Sequence, residues 1–313
     1  QPFQPCILEQ SHAVIDGCGA FHRPKSGQNA ELPVKRFASN WHHYGADSCK
    51  MSKTGRTLGR LGPPERIFVS GASGGLGWAL ARHHAAPGVF LCLWGRDLPR
   101  LEEVAAKCRA KGASVEIRSL DLADGDAALR ALTEDDERFP FDLAYLVAGR
   151  GDTRAPDDAI ESPQLALRLG QINFSVPSAM ASALAGVMAK RGGGRVVLIG
   201  SAAGQHALPF AAAYAASKAG LARYAQALRI AAAPLGVSVT LAAPGFIDTA
   251  AGRAVPGAKP MLLSADEAAR RIARAALAGK GYYVTPWPFS ILRLVDRLLP
   301  APLRDRLLRA LAV

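Results

Sequence analysis

A chain of 313 residues, 49% hydrophobic and 20% charged, is long enough to bury a full core. Its formal charge of +12 suits nucleic acid or an anionic membrane, but most basic residues are arginines dispersed along amphipathic segments, which speaks against a nucleic-acid partner. No uninterrupted apolar stretch reaches the roughly 18 to 20 residues that span a bilayer, and the N-terminus lacks the pattern of a secretory signal, so a soluble, cytoplasmic protein is expected.

Residues 1–62 are rich in Gln, His, Ser, Pro and Gly and show no apolar periodicity, the signature of a disordered or loosely attached extension. The chain starts at Gln1 and its first methionine is Met51. An upstream extension outside the folded domain accounts for both facts; a processed targeting segment is the alternative. Five cysteines, Cys6, Cys18, Cys49, Cys92 and Cys108, form no C-x-x-C pair, so no disulfide framework is expected. Three of them share the first fifty residues with His12, His22, His42 and His43, yet no interval matches a zinc finger, ribbon or knuckle. No metal site is expected.

From Arg66 short apolar runs alternate with helix-length segments. The predicted strands are RIFVSG, VFLCLWG, SVEIRSL, LAYLVAG, GRVVLIGS, VSVTLAAPG and the short YYVTP. The predicted helices are WALARHHAAP, LPRLEEVAAKCRAKG, GDAALRALTEDDERF, the long PQLALRLGQINFSVPSAMASALAGVMAKRGG, the alanine-rich segment around residue 214, and SADEAARRIARAALAGKG. Gly112, Gly236 and the glycines of KRGGGR sit where helix C-terminal caps belong, and Ser264 with Glu267 forms a capping box. Apolar strands separated by helices predict one doubly wound α/β domain over residues 63–290, with a mostly parallel sheet covered on both faces.

The first strand runs into SGASGGLGWAL, where Gly71, Gly75 and Gly77 open a helix. Bare backbone N–H groups at a positive helix end are a site for a pyrophosphate. The second strand ends LWGRD. A carboxylate here binds the ribose hydroxyls of NAD, whereas Gly95 offers none and the guanidinium of Arg96 suits a 2′-phosphate. NADP(H) is therefore favoured over NAD(H), and a register shift placing Asp97 there would reverse the preference. Farther along, AAAYAASKAG is helical by composition, which stacks Tyr214 and Lys218 on one face. A cation beside a phenol lowers its pKa toward a range useful for proton transfer.

Taken in order, these motifs resemble the short-chain dehydrogenase/reductase family in its compact, single-domain, Rossmann-type branch. The resemblance runs over about residues 64–290 through S-G-A-S-G-G-L-G, Asp121-Leu122, Ala148-Gly149, Asn173, Ser201, Tyr214 with Lys218, and P-G-F-I-D-T at 244–249. It implies that Tyr214 is the acid/base, that Lys218 depresses its pKa and holds the nicotinamide ribose, that Ser201 holds the substrate oxygen, and that Asn173 holds a water relaying protons to the lysine. For the cofactor it implies Gly71, Ser73, Gly75, Leu76, Gly77, Arg96, Asp121, Leu122, Ala148, Gly149, Tyr214, Lys218, Pro244, Gly245, Ile247 and Thr249. It also implies a homodimer or homotetramer, often through the helices carrying Asn173 and Tyr214.

Two departures stand out. Leu146-Val147-Ala148-Gly149 replaces the family's N-N-A-G, which predicts altered local stability, and Gly74 replaces a serine or basic residue, which leaves Arg96 to recognise a 2′-phosphate. The glycine- and proline-rich stretch 249–263 suits a lid. With His206, Leu208, Phe210 and Met261 nearby, a lipophilic ketone, aldehyde or secondary alcohol is the expected substrate. The tail, residues 291–313, reads either as helices packed on the domain or on a subunit neighbour, or as an interfacial helix on acidic membrane. A cofactor-binding sensor without turnover and a sugar-nucleotide epimerase or dehydratase are the rival functions.

Overall fold

The computed structural model describes residues 61–310 except Asp152, Pro156, Asp157 and Pro256, and except the side chains of residues 293–297. Apart from Leu61 and Gly62, the readings made for residues 1–62 lie outside the described residues, including those for Cys6, Cys18 and Cys49. The elements alternate as the apolar pattern demands: β1 (Arg66–Ser70), α1 (Gly75–His84), β2 (Phe90–Gly95), α2 (Leu98–Arg109), β3 (Ser114–Ser119), α3 (Gly125–Arg138) and β4 (Leu143–Leu146). Next come α4 (Pro163–Gly170), a π-helical turn (Gln171–Ser175), α5 (Val176–Lys190), β5 (Gly194–Ile199), a 3-10 turn (Ala202–Gln205) and α6 (Ala212–Ala232). The chain continues through a second 3-10 turn (Ala233–Leu235), β6 (Val237–Pro244), β7 (Ile247–Asp248), α7 (Ala250–Ala254), β8 (Leu263–Ser264), α8 (Ala265–Leu277), β9 (Tyr282–Thr285), α9 (Pro288–Leu298) and α10 (Ala301–Ala310).

All seven predicted strands join one sheet in the order β3-β2-β1-β4-β5-β6-β9, every pair parallel. Successive residues of a strand face opposite sides, so each strand feeds two cores. Ile67, Val69, Leu91, Leu93, Tyr145 and Val197 pack with α1, α2 and α8. Phe68, Trp94, Leu146, Val196 and Leu198 pack with α3, α5 and α6. Burial on both faces is why these strands read as apolar runs. Two carboxylates buried on α3 are fully paired: Asp135 accepts from Nε1 of Trp94 at 2.8 Å and from Arg118 at 2.6 Å, and Asp136 holds the fork of Arg191 at 2.5 and 2.9 Å.

The punctuation reads largely as the sequence predicts. Gly112 and Gly236 have φ of +88° and +79°, the left-handed values a helix end requires. Ser264 caps α8 by accepting from the Glu267 N–H at 3.2 Å, while the Glu267 carboxylate pairs with Arg270 and Arg271. The run Pro163–Lys190 is long and apolar enough to cross a membrane by composition. Here its Met180, Leu184 and Met188 are buried in the core, so its α5 half packs one face on the sheet.

Candidate active site

In an open parallel sheet, ligands bind beyond the carboxyl ends of the strands, where the strand order reverses. That point lies between β1 and β4. Gly71 follows β1 with φ +70°, and a Cβ there would lie 2.8 Å from the Ala148 nitrogen after β4, so only glycine lets the two strand ends meet so closely. A Cβ on Gly77 would collide with the Gly71 carbonyl, and one on Gly75 with the Thr249 methyl. No side chain caps α1 and no acid stands in its first turn, which leaves that positive end to a ligand anion.

A cleft of about 280 Å³ opens over this turn. Gly71, Ser73, Gly75, Leu76, Gly77, Arg96, Asp121, Leu122, Ala148, Gly149, Ile247 and Thr249 line it, so twelve expected cofactor residues from five separate segments are brought together. Pro244, Gly245, Tyr214 and Lys218 are not in its lining. Pro244 ends β6 opposite Thr285, and Gly245 lies directly under the ring of Phe289, where a Cβ would clash. The lining adds Trp94, Gly95, Val147, Arg150 and Ile172. Of these Gly95 was legible at the strand end, since a Cβ there would press to 2.5 Å on the Ser73 hydroxyl. The others arrive only through tertiary packing.

Arg96 stands at the cleft rim, 3.9 Å from Asp121. Asp97 is otherwise engaged: its carboxylate caps α2, accepting from the Arg100 N–H at 3.1 Å. With Gly95 the last residue of β2, in register with Ser119, the position after the strand belongs to Arg96. The missing N-N pair also has a replacement. The Ser70 hydroxyl accepts from the N–H groups of Val147 and Ala148 at 3.0 and 3.3 Å, tying β1 to the end of β4 across the switch point.

Beside this cleft lie the four reactive candidates. Asn173 is fully buried and sits in the π-helical turn between α4 and α5, a distortion that proteins keep at functional sites. Its Oδ1 accepts from the Arg150 N–H at 2.8 Å, and its Nδ2 donates to the Arg150 carbonyl at 2.9 Å and to Oγ of Ser217 at 3.3 Å. Ser217 in turn donates to the Tyr214 carbonyl at 2.7 Å, a link with no signal in the linear pattern. A Cβ on Gly149 would lie 3.0 Å from Oδ1 of Asn173 and 3.3 Å from Nζ of Lys218, so both polar atoms flank one small space.

Lys218 is buried and donates to the Ile199 carbonyl at 2.9 Å. Burial lowers its pKa to about 8. Burial raises the Tyr214 phenol above its ordinary value, and a hydrogen bond with Ser201 opposes that shift. Ser201 follows β5 and accepts from the Ala203 N–H at 3.1 Å, which fixes its Oγ at the strand end.

Two further contacts frame the site. α6 begins at Ala212 with no side-chain cap of its own and no acid in its first turn. Glu161 supplies one from 52 residues away, accepting from the Ala213 N–H at 2.7 Å beside Tyr214. His206 and Leu208 line a cavity of about 690 Å³ with Ala212, Ala216, Ala219 and Leu308; at 3.6 residues per turn these α6 residues lie on the side opposite Tyr214. That cavity separates α6 from α10. Among the described residues no group of three or more His, Cys, Asp or Glu is placed to hold a metal ion.

Known proteins are similar to this chain in sequence and fold. Residues 65–259 match the short chain dehydrogenase family. An uncharacterized oxidoreductase of Myxococcus xanthus is 33% identical over 78% of this chain and 96% of its own length. Dehydrogenase/reductase SDR family member 7B of Bos taurus is also 33% identical, and the match spans 58% of each chain. Among solved structures, the short-chain dehydrogenase of Sphingobium yanoikuyae in complex with NADPH is 25% identical, with a TM-score of 0.65 over 74% of this chain and 93% of that one. The chain belongs to the short chain dehydrogenase family of oxidoreductases.

Proposed function

We propose that the protein interconverts a lipophilic ketone or aldehyde and the corresponding alcohol, with NADP(H) as cofactor and Tyr214 as acid/base. The observation that carries this reading is that Asn173 and Lys218 flank Gly149 in the wall of a glycine-lined cleft at the strand switch point, with Tyr214 hydrogen-bonded to Ser201 after β5. The cradle fits a dinucleotide: the glycine turn leaves no room for a Cβ, and the first turn of α1 carries no competing acid or cap. Bound NADPH would supply the hydride to the carbonyl carbon. Ser201 donates a hydrogen bond to the carbonyl oxygen and Tyr214 gives that oxygen its proton. A phenol whose pKa is raised by burial holds its proton through neutral pH and is a poor base until the site charges. Oxidised nicotinamide is cationic, so the reverse direction is where the phenolate is favoured. Asn173 and Lys218, flanking the space over Gly149, are positioned to hand the phenol a replacement proton through water.

Arg96 supports the choice of NADP(H), because its guanidinium follows β2 directly and no carboxylate occupies that place. Exposed Leu167 and Ile230 on the outer faces of α4 and α6 support a homo-oligomer through those helices, and the free buried thiols of Cys92 and Cys108 support a reducing cytoplasm. The cofactor assignment is tested by steady-state kinetics of Arg96→Ala with NADPH and NADH. We expect KM for NADPH to rise about tenfold or more, the loss of one charge-assisted contact, with KM for NADH nearly unchanged. An unchanged NADPH preference would refute the assignment.

A further inference from the structure

α9 buries one apolar side and shows another. Phe289 is buried, its ring over Gly245 and 6.4 Å from the ring of Phe246. Trp287, Ile291 and Leu298 fall within about 40° of one another around the helix axis, opposite Phe289, and are 69%, 49% and 75% exposed. α10 repeats the arrangement. Its Leu308 is buried at the cavity beside α6, whereas Leu303 and Leu307, one turn apart, face outward with Arg306. An ordinary surface helix turns a polar side to water, so two consecutive helices with apolar outer faces call for a partner.

The charge on these helices selects the partner. Residues 287–310 carry five arginines against two aspartates. An anionic bilayer supplies the opposite charge, worth about 1 kcal/mol for each cation near its surface. Trp287, the most amphipathic member of the row, suits the headgroup level.

The root of α9 also meets the segment that follows β7. Phe246, on which Phe289 packs, accepts from the Leu263 N–H at 3.0 Å, so the root of α9 adjoins both ends of the segment 247–263. That segment exposes Met261 and Leu262. We infer that the outer faces of α9 and α10 dock on an anionic lipid bilayer, with Trp287, Ile291 and Leu298 entering the headgroup boundary. This inference deepens the reading of a lipophilic substrate and rests on it for one step: a carbonyl dissolved in the bilayer would reach the site past residues 261 and 262 without crossing water.

The test is flotation of the full chain with phosphatidylcholine vesicles prepared with and without phosphatidylserine. The wild-type chain should float with phosphatidylserine vesicles, less so at high salt, with a blue shift in tryptophan emission. Trp287→Ser with Ile291→Ser and Leu298→Ser should weaken flotation about tenfold or more while reduction of a water-soluble ketone is retained, which also shows that the variant is folded. Arg306→Glu should weaken it and flatten the salt dependence. Binding that is absent, indifferent to phosphatidylserine, or unchanged in the triple variant would overturn the inference. So would a triple variant that changes oligomeric state without vesicles, since a second copy would then own the face. Because flotation needs no turnover, a failed activity assay leaves its result readable.

Discussion

Lys218 and Tyr214 show how far a residue's role depends on its surroundings. The four-residue spacing is enough to stack them, yet burial acts on each separately, raising the phenol and lowering the ammonium to about 8. The lowered lysine gives a pH dependence with a definite sign. The free enzyme loses the Lys218 charge as pH rises through about 8, so kcat/KM for carbonyl reduction should fall above that pH, a limb reported by the free-enzyme profile. Stability moves the other way. Between about 8 and 10.5 the unfolded lysine still holds a proton that the folded one has released, so the unfolded state binds more protons and the Lys218 contribution to stability rises with pH. Above 10 the raised phenol reverses this, since folded Tyr214 keeps a proton that the unfolded chain gives up. The buried thiols of Cys92 and Cys108, raised above 9, act the opposite way over the same range, so the Lys218 effect is read as the difference between denaturant titrations of wild type and Lys218→Met; a difference that falls between 8 and 10 would contradict the burial of Lys218.

At the scale of elements, the helix that carries the phenol depends on a distant acid. α6 opens with alanines and borrows Glu161 to satisfy the Ala213 N–H. Removing such a cap costs about 1 kcal/mol, which for a domain of this size lowers Tm by roughly 2–4 °C. Glu161→Ala should show that shift in thermal unfolding together with a lower kcat, because the turn it anchors includes Tyr214, and Glu161→Gln should recover most of both. A wild-type kcat in the alanine variant would show that the cap is purely structural. The sequence gives no hint of this contact, because 52 residues separate the partners and each looks ordinary alone. The π-helical turn at Asn173 was hidden for a related reason: the segment has the composition of one long helix, and only the paired contacts of Asn173 with Arg150 and Ser217 mark where it deviates.

For the whole molecule, the strands, their parallel pairing and the glycine turn were legible because periodicity and local geometry encode them. Asp97 was ambiguous as sequence and is resolved as the α2 cap. His206 and Leu208, expected near the substrate, line the cavity between α6 and α10. The proposed chemistry turns on one phenol, Tyr214. The most direct measurement is NADPH consumption with a lipophilic ketone by wild type and Tyr214→Phe, with NADPH binding to each followed by fluorescence titration. We expect the variant to bind NADPH as the wild type does and to lose about 100- to 10,000-fold in kcat, the span of a general acid. Undiminished turnover in Tyr214→Phe would contradict the account.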